Sequence, residues 1–265
     1  MGNAYTLANM FKSYTVIIFC NKVDGALLSE WMKGDINVHM IPDEQMGGPR
    51  SIRLATGRNR LLQAVRDHMA ERNESAASTY MAVMDMDDVN DHRFNSTVLE
   101  QVMSLDEQWD AVSFTRPFYY DIWALRYDQF NVNYLGVSNP WHFAKIMQQD
   151  IKSRLLADPE KPFFPVYSAF NGFALYKMEV VGNCLYDGVD SDAITSVDKG
   201  GKPRDDFVWG DCEHVAFHKC IRQSHDARIM IYKHSLHTRI KWPSSVKNPK
   251  DAIRRQLLLR PQRKS

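Results

Sequence analysis

The strongest constraint on the fold is a short apolar segment that ends in a cluster of acids. Residues 80–84 read Tyr-Met-Ala-Val-Met, and Asp85, Asp87 and Asp88 follow with a single methionine between the first two. Continuous rather than alternating hydrophobicity is typical of a strand buried on both faces, as in a parallel sheet. Side chains two apart on a strand point the same way, so Asp85 and Asp87 are predicted to reach toward one point beyond the sheet edge.

Similar apolar runs alternate with segments of helical periodicity along the chain. The segment 43–53 bears glycine, proline and polar residues and predicts a loop before the first of these helices. The alternation predicts an α/β fold, a single domain with a mainly parallel central sheet flanked by helices. The predicted strands cover residues 14–20, 36–41, 80–84, 110–115 and 228–232, and the predicted helices cover residues 58–72, 95–105, 142–156 and 211–224.

Composition narrows the classes of partner. The 33 Lys and Arg nearly balance the 32 Asp and Glu, which gives no electrostatic reason to expect a nucleic-acid partner. No apolar run reaches the roughly 18–20 residues of a membrane span. The 4 cysteines are too few for a disulfide scaffold, which favours a reducing interior and a cytoplasmic location.

Three groups of residues resemble the GT-A class of metal-dependent glycosyltransferases. They are the first strand ending at Cys20 and Asn21, the predicted helix start at residues 57–59, and the acidic segment 81–88. More loosely, residues 120–126, 171–172 and 209–214 look like enzymes of large algal DNA viruses of the chlorovirus type and capsule-type fungal mannosyltransferases.

The resemblance, which covers about residues 14–242, implies a GT-A domain in two functional halves. Residues 14–120 would bind the nucleotide sugar and residues 121–242 the acceptor, with residues 243–265 as a basic tail. A viral enzyme of this kind would act in the host cytoplasm.

The resemblance also implies roles for the acids. Asp85 would contact the nucleotide sugar, Asp87 would ligate Mn²⁺ or Mg²⁺, and Asp88 would be a second ligand or support the first. Hard carboxylate oxygens suit these ions, which keep open positions for phosphate oxygens. The alternative is an acidic loop at a strand end that binds no ligand.

Arg58 and Asn59 are predicted to contact the donor. The resemblance places a cation near the diphosphate or the motif acids, and a guanidinium at a helix N-terminus would favour phosphate. The alternative for Arg58 is an exposed arginine in the first helical turn.

Asp211 and Glu213 are the candidate catalytic bases. They open a predicted helix where this class commonly places an acidic catalytic residue, and a carboxylate is the usual base for an inverting transfer. Asp211 is the first choice, although it would serve equally well as a helix N-cap.

Two histidines follow the last predicted strand. The resemblance allows His237 or His234 to complete the metal shell, with His237 preferred, and a surface or hydrogen-bonded histidine is the alternative for each. A zinc set made of Cys212, His214, His218 and Cys220 is not expected, because one helix cannot direct all four side chains at one ion.

These observations predict a metal-dependent glycosyltransferase. It would move a sugar from a nucleotide-diphosphate sugar, a UDP-sugar such as UDP-xylose or UDP-glucose with a GDP-sugar left open, to a glycan or glycoprotein acceptor. Two alternatives stay open: a phosphohydrolase of the haloacid-dehalogenase type with Asp85 as nucleophile and Asp87 as acid, and a non-catalytic nucleotide-sugar-binding module.

Overall fold

A computed structural model describes most of the chain. The described residues are 2–20, 37–42, 47–86, 88–90, 92–116, 119–133, 135, 137–189 and 210–237, with the side chain of Asp88 outside this set. Their helices are α1 Gly2–Ala8, α2 Arg50–Arg72, α3 Ser96–Ser104, α4 Pro140–Leu156, α5 Met178–Val181 and α6 Glu213–His225. Their strands are β1 Val16–Cys20, β2 Val38–Pro42, β3 Tyr80–Met84, β4 Ala111–Phe114, β5 Phe163–Pro165, β6 Phe173–Lys177 and β7 Ile229–Tyr232.

Most strands form a mixed five-stranded sheet in the order β3-β6-β4-β7-β5. The strands β1 and β2 pair in parallel as a separate two-stranded sheet. In the larger sheet β4 and β7 are parallel, whereas β3–β6, β4–β6 and β5–β7 are antiparallel. The predicted α/β class is therefore confirmed, with helices and a central sheet.

The prediction of a mainly parallel sheet is wrong. The strand β6 runs antiparallel between β3 and β4 and separates the two strands that the alternating pattern would place side by side. Burial on both faces makes any strand a continuous apolar run, whichever way its neighbours point. The apolar pattern therefore identified the strands but carried no information about their direction.

Two buried clusters cover the two faces of the sheet. Ala111 packs into one cluster, with residues of α2, α4 and α6, and the next residue, Val112, packs into the other, with α1 and α3. The same alternation occurs at Ala174 and Leu175 on β6. Successive strand side chains point to opposite faces, so helices on both sides are needed to bury them.

The helix α2 begins earlier than predicted. It starts at Arg50 after Pro49, so the expected loop over residues 43–53 is wrong at its end, and residues 43–46 lie outside the described residues. Gly57 is inside the helix and faces Phe19, whose ring would lie 3.1 Å from an added Cβ. Arg58 is therefore about two turns into the helix, and the prediction that it lies at a helix N-terminus is wrong.

Two features bear on the environment of the chain. In the described part, no helix is both long enough and apolar enough to cross a membrane. Cys184 and Cys220 form a disulfide that joins the segment after α5 to α6. Because disulfides persist in oxidising surroundings, this pair removes the support that the cysteine count gave to a cytoplasmic location, which stays a prediction.

Candidate functional site

One edge of the five-stranded sheet gathers the polar residues of interest. The strands β3, β4 and β7 run in the same direction and β6 runs opposite to them. Asp85 after β3, Arg116 after β4 and His237 after β7 therefore share an edge with residues 171–172, which precede β6. We call this edge the acidic edge.

The turn at Asn171 and Gly172 anchors the end of β3. Both residues have positive φ, 56° and 87°. The carbonyl oxygen of Gly172 accepts hydrogen bonds from the backbone N–H of Asp85 at 3.0 Å and from Nδ2 of Asn90 at 2.8 Å. A Cβ on Gly172 would lie 2.6 Å from Cγ1 of Val89, so the turn requires glycine both for its φ and for this close approach.

Arg58 joins two of the predicted site acids. Its Nε lies 2.7 Å from Oε1 of Glu213, and its Nη2 lies 2.8 Å from Oδ1 of Asp85. Burial lowers the pKa of Arg58, but the charges of Asp85 and Glu213 outweigh it and raise the pKa well above the usual value. The Asp85 side chain is 31% exposed and that of Glu213 is 3% exposed. Of these two acids, Asp85 therefore has the larger exposed carboxylate surface.

Asp211 is held in a different way. Its Oδ1 lies 2.6 Å from Nη2 of Arg126 and accepts a hydrogen bond from the backbone N–H of Cys212 at 2.7 Å. Both members of the ion pair are buried. The N-cap of α6 is Cys212, so Asp211 precedes the cap rather than forming it.

A further buried acid, Asp121, was missed by the sequence analysis. Its two carboxyl oxygens accept hydrogen bonds from the backbone N–H groups of Asn171 and Ala124. Burial and the charges of Asp85 and Glu213 raise the pKa of Asp121 to about 7. The only signal in the sequence was its place in the 120–126 motif, to which no role had been given.

The two predicted metal-binding histidines lie in different surroundings. Nδ1 of His237 is 3.0 Å from the carbonyl oxygen of His92, which can only accept, so this nitrogen carries the proton. Nε2 then accepts from Arg116 at 2.7 Å. His237 would bind a metal ion only after Arg116 leaves this nitrogen, whereas His234 is exposed and packs on Tyr232.

The predicted metal site cannot be assembled from the described residues. Asp87 and the side chain of Asp88 lie outside them, and among those described no three His, Cys, Asp or Glu side chains gather at one point. The other two predicted ligands are the histidines treated above. The metal site stays a prediction.

Asn59 fastens a neighbouring loop. Its Nδ2 donates to the carbonyl oxygen of Tyr186 at 2.9 Å, and its Oδ1 accepts from the backbone N–H of the same residue at 2.8 Å. The ring of Tyr186 lies 5.9 Å from the Arg58 guanidinium. Asn59 thus places an aromatic wall beside Arg58, and its predicted contact with a donor stays untested.

Three of the four residues considered as a zinc set have other contacts in the structure. Cys220 is in the disulfide. His218 is hydrogen-bonded to Ser168 and Tyr176 at 2.8 and 2.9 Å, and His214 stacks on Phe170 with 3.8 Å between ring centroids. These contacts give the buried residues structural roles.

A cavity of about 890 Å³ opens beside the acidic edge. Its walls come from β1, α2 and β3, and Arg58, Asp85 and Tyr186 line the end nearest the acids. Volumes of roughly 300–1,000 Å³ are typical of cofactor and small-molecule sites. The accessible acid therefore lies at a space large enough for such a ligand.

Comparison with known proteins leaves the family open. No protein-family model matches the chain, and no curated protein matches it. The likeness to GT-A glycosyltransferases therefore rests on the sequence motifs alone.

Proposed function

We propose that the chain is a metal-dependent glycosyltransferase of the GT-A type that uses a nucleotide-diphosphate sugar. The observation that carries the proposal is the link Asp85–Arg58–Glu213, of which Asp85 and Arg58 line the cavity. It joins the acid predicted to contact the donor with a buried acid suited to deprotonate an acceptor. The strand directions of the described sheet neither require nor support a Rossmann-like GT-A core, so that finer fold assignment is part of the proposal.

The balance of charge at the acidic edge supports a bound cation. The described residues place the acids Asp85, Asp121, Asp211 and Glu213 near the arginines Arg58, Arg116 and Arg126. The sequence adds Asp87 and Asp88 directly after Asp85. Carboxylates in excess of nearby cations are stabilised by a hard divalent ion. Burial, and after it the charges of Asp85 and Glu213, raise the pKa of Asp121 to about 7.

The cavity would receive the nucleotide, and the acidic edge would receive the diphosphate and sugar. Asp87 and Asp88 would hold Mn²⁺ or Mg²⁺, which when bound neutralises charge on the departing diphosphate. Asp85, with Oδ1 fixed by Arg58, would present Oδ2 to the donor. Arg58 would thus orient a motif acid and lie beside the diphosphate without belonging to a helix N-terminus.

Glu213 is the better candidate for the base. It lies on the same guanidinium as Asp85, whereas Asp211 is turned toward Arg126. The acceptor hydroxyl would give its proton to Glu213 as its oxygen bonds to the anomeric carbon of the sugar. The bond from that carbon to the diphosphate oxygen breaks with its electron pair on the diphosphate, which inverts the configuration.

A panel of nucleotide sugars tests the proposal. The wild-type protein and Asp85→Asn are incubated with UDP- and GDP-sugars, with and without Mn²⁺, while thermal unfolding and slow donor hydrolysis are followed. We expect one nucleotide class to raise the melting temperature only with Mn²⁺, with a smaller rise in the variant. Hydrolysis of a generic phosphomonoester without nucleotide stabilisation would instead favour the phosphohydrolase, and stabilisation without any turnover the binding module.

A further inference from the structure

We propose that Asp121 and Arg126 are positioning residues that together set the spacing between the donor acid Asp85 and the base Glu213. We call residues 121–126 the bracing segment. Its first residue is fastened to the turn that holds Asp85, and its last residue is fastened to the chain just before Glu213. The inference rests on the proposed function for the roles of the two acids, but the contacts that carry it do not.

The first end of the bracing segment acts through the turn before β6. Oδ2 of Asp121 accepts from the backbone N–H of Asn171 at 3.2 Å, and Oδ1 of Asn171 lies 3.4 Å from the N–H of Asp121. Nδ2 of Asn171 donates to the carbonyl oxygen of Phe114 at 3.0 Å. The next residue, Gly172, accepts from the N–H of Asp85. A shift of Asp121 would therefore be transmitted to the end of β3.

The other end acts through the start of α6. Nη2 of Arg126 binds Asp211, and its Nη1 donates to the carbonyl oxygens of Trp123 and Leu125 at 2.8 and 2.9 Å. Both terminal nitrogens of the guanidinium therefore donate hydrogen bonds to protein acceptors. The guanidinium acts on Glu213 only through Asp211 and Cys212, the two residues that precede Glu213.

The residues between the two ends are held firmly. Ile122, Ala124 and Leu125 have no exposed surface. The backbone of Arg126 donates to the carbonyl oxygen of Ser168 at 2.9 Å and accepts from the N–H of Tyr167 at 2.7 Å. Packed and hydrogen-bonded in this way, the middle of the segment stays in place when the contact at either end is altered, so each end can be tested separately.

Both residues act through others rather than on substrate. Asp121 and Arg126 are 9% and 2% exposed, and the hydrogen bonds described above for their side chains go to protein groups. Misplacement of a reacting group by about 1 Å can cost about 100-fold in rate. A displacement of Asp85 or Glu213 caused by a change in the bracing segment would therefore lower the reaction rate, although Asp121 and Arg126 do not contact the substrate.

The test is a pair of conservative variants with matched controls. Asp121→Asn keeps the size of the side chain but turns an amide N–H₂ toward a backbone N–H. Arg126→Lys keeps the positive charge but removes the guanidinium, whose two terminal nitrogens bind Asp211 and the backbone carbonyl oxygens. Asp110→Asn and Arg228→Lys alter an ion pair at the opposite edge of the sheet, where the Nε–Oδ2 distance is 2.9 Å. Donor KM, kcat and the melting temperature are measured for all four, and crystal structures for the first two.

The bracing segment predicts opposite kinetic signatures for its two ends. Asp121→Asn should raise the donor KM by about 10-fold with kcat within about 3-fold, and Arg126→Lys should lower kcat by about 10-fold or more with KM within about 3-fold. If Arg126→Lys does not fold, Asp211→Asn, which breaks the same contact, should give the same signature. The controls should change only the melting temperature. Equal changes in KM and kcat at both ends, or kinetics like those of the controls, would overturn the inference.

The crystal structures separate this inference from the proposed function. In Asp121→Asn the turn at Gly172 and Asp85 should shift, while in Arg126→Lys the start of α6 should shift and Asp85 should stay. If wild-type protein transfers no sugar, the proposed function fails, and these two displacements still decide whether the segment sets the spacing. Unmoved acids in both structures would overturn it.

Discussion

The two edges of the five-stranded sheet both carry ionic contacts, but they balance charge differently. At the edge opposite the acidic edge, Asp110 precedes β4 and accepts from the backbone N–H, Nε and Nη2 of Arg228 at 2.8 to 2.9 Å. Lys177 lies 3.7 Å away. Although burial raises the pKa of Asp110, the hydrogen bonds from Arg228 outweigh it and lower the pKa. One acid is thus matched by two cations.

At the acidic edge the acids are left in excess. Asp121 accepts only backbone hydrogen bonds among the described residues, and its pKa is raised to about 7 by burial and the neighbouring acids. Compensation as at Asp110 is what a structural ion pair needs. Asp121 differs from Asp110 in this respect, and the proposed cation at the acidic edge would supply the missing positive charge.

The largest effect that would separate the two edges is expected when the proposed base at the acidic edge is removed. Glu213→Gln should lower transfer by about 10²–10⁴-fold, the usual contribution of a general base, with donor binding little changed. Asp211→Asn should lower transfer by about 10-fold and keep the acidic limb of the pH–rate profile, where the rate falls as the base is protonated, because Asp211 acts only through position. Steady-state kinetics across pH measure both. A larger loss in Asp211→Asn, together with loss of that limb, would return the role of base to Asp211.

The compensated edge should show its effect in stability. Asp110→Asn should destabilise the fold by roughly 1–2 kcal/mol, because it removes a charged acceptor from several partly buried hydrogen bonds. Denaturant unfolding gives the free energy, and donor kinetics should be unchanged. An activity loss beyond that expected from unfolding would show that the two edges are not independent.

Gly172 tests the turn that supports the acidic edge. Gly172→Ala should cost roughly 1–3 kcal/mol, since a side chain must adopt positive φ and contact Val89. Gly47→Ala is the matched control, because an added Cβ there meets nothing within 4 Å. Thermal unfolding of both variants makes the measurement, and equal melting temperatures would contradict the packing at residue 172.

The smallest expected effect is on the pH dependence of stability, which should have opposite signs for the contributions of Asp110 and Asp121. Asp110, with a lowered folded pKa, contributes stability that is present above the unfolded pKa and lost as pH falls through the folded value. Asp121, with a raised pKa, contributes stability that is present below the unfolded pKa and lost as pH rises toward about 7. The penalty of Asp121→Asn should therefore shrink between pH 4 and pH 7 while that of Asp110→Asn grows. Parallel pH curves for the two variants would contradict the charge balance described for the edges.

Local features of the fold could be read from the sequence. The apolar run of β3 was predicted with its observed bounds, and Asn95, the first residue of the helix predicted over 95–105, caps α3 by accepting from the N–H of Thr97. Both depend on neighbouring residues. The direction of β6 depends on pairing with strands far away in the chain, which no local pattern encodes.

The candidate site likewise has parts that the sequence predicts and parts that depend on contacts between distant residues. Asp85 and Glu213 were found because each follows or opens a recognisable element. Their link through Arg58 joins residues that are 27 and 155 positions from it, and the helix start assigned to Arg58 was wrong. Asp121 was missed because its hydrogen bonds go to backbone groups, one of them 50 positions away. Such contacts leave no residue-type signature in the sequence.

The most direct test of the central claim is anomalous diffraction at the manganese edge from crystals grown with Mn²⁺ and UDP, and in parallel with GDP. The account predicts one manganese peak beside Asp85 at the acidic edge, with the diphosphate between it and the cavity, and no peak near Asp110. Nucleotide bound at that edge with no metal, or manganese found only elsewhere, would contradict it.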